Sequence, residues 1–168
     1  MKRNAGKIGV SFFLVLCLIV PALSTVLGGE FKALEGLKSV KTIFDFRDGN
    51  PDSALIHLQL VHDTYKDKAI REVDGAPEFA VVFMGGSVKL LSKNRDGFSA
   101  QEKKGLAELD RVVSAMVKDG IRLEICMFAA HFFGVDPKSV SPEIHRVPNG
   151  WISSLGYQAK GYGLIPVF

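Results

Sequence analysis

The feature that most constrains the fold is an alternation of strand-like and helix-like segments. Residues 40–46 are rich in β-branched and aromatic residues, as strands are. Residues 78–91 form an apolar run that breaks at Gly85-Gly86, and such runs suit strands buried on both faces of a parallel sheet. Further strands are expected at residues 121–126, 143–147 and 162–168. The order β-α-β-α-β-α-β-α-β predicts an α/β fold with a parallel sheet of about five strands and helices on both faces.

Capping residues mark the starts of two intervening helices. Asn50 and Pro51 suit the N-cap and first turn of a helix that extends to about residue 68. Ser99 and Glu102 form a capping-box pattern at the start of the next long helix. Shorter helices are expected at residues 127–133 and 149–161.

The first helix carries apolar residues on two sides. Ile56 and Leu60 form one strip, on the side away from the main apolar stripe. The main stripe, at helical spacing, consists of Ala54, Leu58, Val61 and Tyr65. A helix that is apolar on two faces has more than one surface to bury, so we expect a homo-oligomer.

The N-terminus has the pattern of a secretory signal peptide. A basic segment precedes an apolar stretch at residues 8–20, and small residues at positions 22 and 24 suit cleavage after residue 24. The alternative is an uncleaved membrane anchor, although the stretch is short for a span. We therefore expect residues 1–24 to be the signal peptide, 25–39 a lead-in and 40–168 one α/β domain. The protein would then be periplasmic or secreted from a bacterium, without a membrane segment after cleavage.

Charge argues against a nucleic-acid partner. The signal segment contains three of the 21 Lys and Arg residues and none of the 18 Asp and Glu residues. The mature chain would therefore carry equal numbers of both signs. It lacks the basic excess with which proteins bind phosphate backbones.

Cys126 is the cysteine that would remain after cleavage, because Cys17 leaves with the signal peptide. It ends the third predicted strand and directly precedes a helix, where the helix dipole lowers the pKa of a thiol. His131, five residues later, is positioned to assist electrostatically. The alternative is a structural residue, because free cysteines are among the most buried residue types. Both interpretations of Cys126 stay open on the residues alone.

Other candidate binding residues also follow strand ends. In parallel α/β sheets, ligands gather beyond the carboxyl ends of the strands. Gly85-Gly86-Ser87 and Asn149 are expected at that edge together with Cys126, although a tight turn also explains the glycines. The sequence contains no glycine pattern of the dinucleotide-binding or Walker type and no zinc-ligand spacing. We therefore expect no cofactor and no metal.

Two longer motifs resemble the DsrE/DsrF-like family over roughly residues 38–168. One is the strand pattern K-x-G-[IV]-x-[LF]-x-[IV]-C, a short helix and then G-V-D-P, at residues 118–137. The other is V-P-N-G, a helix and then Q-x-x-G-Y, at residues 147–162. The resemblance implies a flavodoxin-like sheet and assembly into trimers or hexamers.

The same resemblance implies a role for the cysteine. In sulfur-relay members a cysteine carries a persulfide between donor and acceptor proteins, and Cys126 matches the cysteine of the exported DsrE-like branch. One hypothesis is therefore a sulfur carrier, sulfurtransferase-like at most, with Cys126 as its thiol. The other is a non-catalytic oligomeric binding module in which Cys126 is structural.

Overall fold

The computed structural model describes residues 31–168. The predicted signal peptide and the first part of the predicted lead-in lie outside the described residues. Within residues 31–168, no helix combines the length and apolarity needed to cross a membrane.

Five strands and five α-helices form the described part of the chain. The strands are β1 (Lys41–Phe46), β2 (Glu78–Phe83), β3 (Arg122–Cys126), β4 (His145–Val147) and β5 (Gly163–Val167). The helices are α1 (Pro51–Lys66), α2 (Lys68–Val73), α3 (Ala100–Lys118), α4 (Met127–Phe132) and α5 (Gly150–Ala159).

The strands form one sheet in the order β4-β3-β2-β1-β5, and every neighbouring pair is parallel. This confirms the predicted five-stranded parallel sheet with helices on both faces, as in flavodoxin-like folds. The strand order differs from the order 2-1-3-4-5 of flavodoxin itself. Strands β1 to β4 follow one another in a single direction, and β5 returns to the other side of β1. Pro166 therefore lies on an edge strand, where a residue without an N–H is tolerated.

Helices cover both faces of the sheet. α1 packs along α3, whereas α5 packs against β1, β2 and β3. The chain crosses the sheet in one direction from β1 to β4 and in the opposite direction from β4 to β5. Because each crossover is right-handed, α5, the helix of the return connection, lies on the face opposite α1 and α3. On β3, Glu124 and Cys126 both contact α5 through hydrogen bonds, as residues two apart on a strand should.

Two segments differ most from their predicted extent, and β4 also begins at His145 instead of residue 143. The first helix ends at Lys66, because Asp67 leaves the helical conformation and its side chain accepts the backbone N–H of Ala69 to begin α2. The apolar run after β2 continues as a 3₁₀ helix, Gly85–Leu91, instead of a strand. Gly85 has a φ of 57°, which takes the chain out of the extended conformation and which glycine adopts without steric cost.

Packing separates the two apolar sides of α1. The main stripe, Ala54, Leu58, Val61 and Tyr65, is buried in the core as predicted. Ile56 and Leu60 are each 63% exposed. α3 begins with the predicted capping box, in which Ser99 and Glu102 bond each other's backbone N–H.

Candidate functional site

A cavity of about 420 Å³ opens at the carboxyl edge of the sheet. It brings together residues from the ends of four chain segments: Arg47 after β1, Gly85 after β2, Cys126 at the end of β3, and Asn149 before α5. Of the five candidate site residues, the structure therefore places Cys126, Gly85 and Asn149 around one cavity.

The sulfur of Cys126 accepts a hydrogen bond from the start of α5. The residue is only 5% exposed, and the backbone N–H of Gly150 lies 3.2 Å from its Sγ. Gly150 is the first residue of a ten-residue helix, where the positive end of the helix dipole favours negative charge. The structure thus places a backbone donor and a helix N-terminus against the sulfur.

The helix that contacts the sulfur is not the one that follows Cys126 in sequence. Cys126 is the N-cap of α4, as predicted, but its side chain makes no capping hydrogen bond there. α5 reaches the sulfur from 24 positions further along the chain. The sequence indicated a helix start beside the thiol, and the structure adds a second one.

A glycine allows α5 to approach this closely. A Cβ on Gly150 would lie 2.6 Å from Sδ of Met84 and 3.1 Å from Cβ of Cys126. Asn149 fixes the first turn, because its Oδ1 accepts the backbone N–H of Trp151 at 2.9 Å. The sequence Pro148-Asn149-Gly150 thus combines a cap with the small residue that the contact requires.

The rest of the cavity wall is apolar and aromatic. Its apolar members are Met84, Phe128, Ala129, Phe132, Phe133 and Trp151. Phe128 and Phe132 are 73% and 75% exposed and stand at its mouth. The single ionised side chain in the lining is Arg47, whose Nε and Nη2 lie 2.9 and 3.0 Å from the two carboxylate oxygens of Asp45.

The remaining predicted residues lie behind or beside the cavity. Ser87 is fully buried, and its hydroxyl lies 2.8 Å from the carbonyl oxygens of both Phe46 and Met84. Gly86 packs against Gly49, where an added Cβ would come within 3.1 Å of the Gly86 carbonyl carbon. These two residues therefore hold the loops after β1 and β2 together. His131 is exposed and is not part of the lining.

A partly buried polar cluster anchors α5 on β3 and was not predicted. The carboxylate of Glu124 accepts hydrogen bonds from Ser153 and from Tyr157, the latter at 2.7 Å. Burial, followed by the bond to Glu124, raises the pKa of Tyr157 well above its usual range. The sequence clue was a carboxylate between two apolar residues, Leu123 and Ile125, of the strand. Its partners lie 29 and 33 positions away, beyond the reach of local patterns.

No three His, Cys, Asp or Glu side chains within residues 31–168 are grouped so that they could hold a metal ion. The groups that line this edge are the thiol, the N-terminus of α5, the guanidinium of Arg47 and the apolar wall.

The model of the DsrE/DsrF-like family matches residues 47–167, a range that contains every residue of the cavity wall. The chain belongs to the DsrE/DsrF-like family. No curated protein is significantly similar to it in sequence.

Two solved structures of this family's fold are similar in backbone. The protein of unknown function MTH1491 from Methanobacterium thermoautotrophicum aligns with a TM-score of 0.58 at 15% identity, over 76% of this chain and 99% of its own. The ychN protein from E. coli aligns with a TM-score of 0.47 at 14% identity, over 77% of this chain and 100% of its own. The similarity to MTH1491 shows the fold alone. The similarity to ychN is too low to support any inference.

Proposed function

We propose that this protein is a DsrE-like sulfur carrier in which Cys126 holds sulfane sulfur as a persulfide. The observation that carries the proposal is the hydrogen bond from the Gly150 N–H to Sγ of Cys126, at the floor of an open cavity. A charge-assisted bond at a helix start stabilises the thiolate that must attack a donor. Membership of a family generally tied to sulfur relay supports the same role.

The transfer step needs one cysteine. The Cys126 thiolate attacks the outer sulfur of a donor persulfide, R–S–S–H, and the sulfur–sulfur bond of the donor breaks. The products are Cys126–S–S–H and the donor thiolate R–S⁻. The reverse reaction with an acceptor thiolate delivers the sulfur. The step requires a sulfane-sulfur donor and an acceptor thiol, and the partners we propose are donor and acceptor proteins.

Burial sets how a donor must approach. Because Cys126 is 5% exposed, its sulfur is reached through the cavity and not on an open surface. The same burial favours the second candidate function, a binding module with a structural cysteine. In that case the cavity would bind a ligand and Cys126 would serve only as a packing residue and hydrogen-bond acceptor.

Intact mass separates the two candidates. The native protein and the Cys126→Ser variant are incubated side by side with inorganic polysulfide. A carrier gains sulfur in the native protein, loses it to a reductant and shows no gain in the variant. If the cysteine reacts only after denaturation, the carrier function is refuted and the binding module remains.

We also propose that the protein is exported, with residues 1–24 as a cleaved signal peptide. The basic, apolar and small-residue segments of the N-terminus support this. Expression of the full chain in a bacterium, followed by fractionation and intact mass, tests it. A periplasmic or secreted product that begins at residue 25 is expected. A product in the membrane fraction with residues 1–24 retained would instead indicate an uncleaved anchor.

The second apolar side of α1 supports a homo-oligomer, a trimer or hexamer. Leu60 is exposed beside Ile165 and Phe168 of the β5 edge, and the three share one groove. Light scattering of the native protein should give a mass of three or six chains, and Leu60→Glu should lower it. A monomeric native protein would contradict the assembly.

A further inference from the structure

The wall around Cys126 differs from the wall expected of a site for anions. Inorganic polysulfides and low-molecular-weight persulfides are charged, so a site for them needs unpaired cations or several free donors. The cavity offers aromatic rings, Met84, the start of α5, whose Gly150 N–H is already bonded to Cys126, and one guanidinium, Arg47, that is already paired with Asp45. Its positive charge is therefore offset before any ligand arrives.

We propose that the cavity admits a neutral, apolar sulfane-sulfur compound, of which cyclic octasulfur is the simplest, in preference to anionic sulfur donors. This inference rests on the proposed function of Cys126 and names its class of substrate. The volume of about 420 Å³ is in the range of small-molecule sites.

Solvation and contact chemistry both favour a neutral sulfur ring. An anion that enters an apolar cavity loses its hydration without replacement, whereas an apolar ring gains free energy when it leaves water. Divalent sulfur also makes favourable contacts with aromatic rings. Phe128, Phe132 and Trp151 supply such rings around the approach to Cys126.

The reaction of a sulfur ring balances without a further reactant. The Cys126 thiolate attacks one ring sulfur and forms a new sulfur–sulfur bond, while the adjacent ring bond breaks. The electron pair of the broken bond moves to the far end of the opened chain. The product is a linear polysulfide attached to Cys126 that carries its negative charge on the terminal sulfur. The charge therefore lies at the end of the opened chain farthest from the new bond to Cys126.

The test compares two donors at equal sulfane sulfur. Native protein is mixed with cyclic octasulfur, added from a small volume of acetone, or with inorganic tetrasulfide, and denatured samples are weighed by mass spectrometry over time. Octasulfur should load the chain about tenfold faster than tetrasulfide, because tetrasulfide must give up its hydration in the apolar cavity. The Cys126→Ser variant should gain no covalent sulfur from either donor.

A single charge in the wall should reverse the preference. Phe132 lines the cavity and is largely exposed, so Phe132→Lys adds a cation at the mouth without opening the core. It should slow loading from octasulfur and accelerate loading from tetrasulfide. Phe31→Lys is the matched control, since Phe31 is also an exposed phenylalanine but lies before β1, outside the cavity wall. It should change neither rate.

The outcomes distinguish this inference from the function on which it rests. If native protein loads faster from tetrasulfide, or if Phe132→Lys leaves the ratio of rates unchanged, the preference for neutral sulfur is wrong while Cys126 remains a carrier. If neither donor loads native protein and Cys126 reacts only after denaturation, the carrier function itself is refuted, and the inference is refuted with it.

Discussion

Two helices begin at the carboxyl edge of the sheet with the same cap residue, yet their first turns contact different groups. At α1, Asn50 caps the helix, and its own N–H donates a hydrogen bond to the carboxylate of Asp48 at 2.9 Å. At α5, Asn149 caps the helix, and the next N–H, that of Gly150, donates to Cys126 on another strand.

The difference separates a structural helix start from one suited to chemistry. The partners of the first turn of α1 are all within a few residues, so that turn is closed by local hydrogen bonds. The first turn of α5 has a donor directed at a sulfur atom beside an open cavity. Changes at α5 should therefore alter thiol chemistry, whereas equivalent changes at α1 should alter stability alone.

The largest effect should come from Gly150→Ala. The added Cβ overlaps the side chain of Met84 and crowds Cβ of Cys126, so the contact between α5 and the end of β3 must rearrange. We expect a loss of about 1–3 kcal/mol in the free energy of unfolding, measured with urea, because overpacked cores cost that much. Iodoacetamide should also alkylate Cys126 at a changed rate, because the position of the Gly150 N–H relative to the sulfur has changed.

Gly156→Ala is the control for that experiment. Gly156 lies on the same helix, and an added Cβ there meets nothing within 4 Å. It should leave alkylation unchanged and stabilise the protein by about 0.5–1 kcal/mol, since alanine favours the helix. Equal alkylation profiles for Gly150→Ala and native protein would show that the α5 contact does not control the thiol.

Removal of the two N-cap side chains should have a smaller effect on stability and should separate the roles of the two helix starts. Asn50→Ala and Asn149→Ala should each lower the free energy of unfolding by about 1 kcal/mol, the usual cost of a lost N-cap. Only Asn149→Ala should also change the alkylation rate of Cys126, because it loosens the turn that holds the Gly150 N–H. An equal change of rate in both variants would remove the distinction between the two helix starts.

The smallest effect concerns the polar anchor of α5 and appears only in alkali. The pKa of Tyr157 is raised in the folded protein, so its stabilising contribution is complete below the unfolded pKa of about 10. It is lost as the pH rises from there through the folded pKa, because the unfolded chain releases the proton first. Tyr157→Phe should therefore show a shallower fall in stability above about pH 10.

Urea denaturation at several alkaline pH values measures that fall. Some slope should remain in the variant, because the pKa of Tyr162 is also raised, first by burial and then by its bond to Glu78. Parallel pH profiles for the variant and the native protein would show that the Tyr157–Glu124 bond does not couple to folding.

Local sequence patterns predicted the fold well, because its determinants are local. Asn50-Pro51 and the Ser99–Glu102 pair marked helix starts that the structure confirms. The strand-end rule for parallel sheets also placed Cys126 at the edge where the cavity lies.

The contacts of the site were beyond such patterns. The bond between Gly150 and Cys126 depends on how α5 crosses the sheet, and the inward side chain of Glu124 finds its partners only after folding. The direction of its side chain excluded Ser87 from the cavity wall. Ser87 follows a strand end but points into the protein and bonds backbone carbonyls.

One feature of the cavity wall makes it observable by light. The chain has a single tryptophan, Trp151, which lines the cavity and is 68% exposed. All indole emission from this protein therefore originates at the entrance to the thiol. A molecule that enters the cavity displaces water from that ring, and a bound sulfur chain places sulfur–sulfur bonds beside it, which quench indole emission by electron transfer. Occupancy of the site can thus be followed in solution through the colour and intensity of one intrinsic fluorophore, with no label attached.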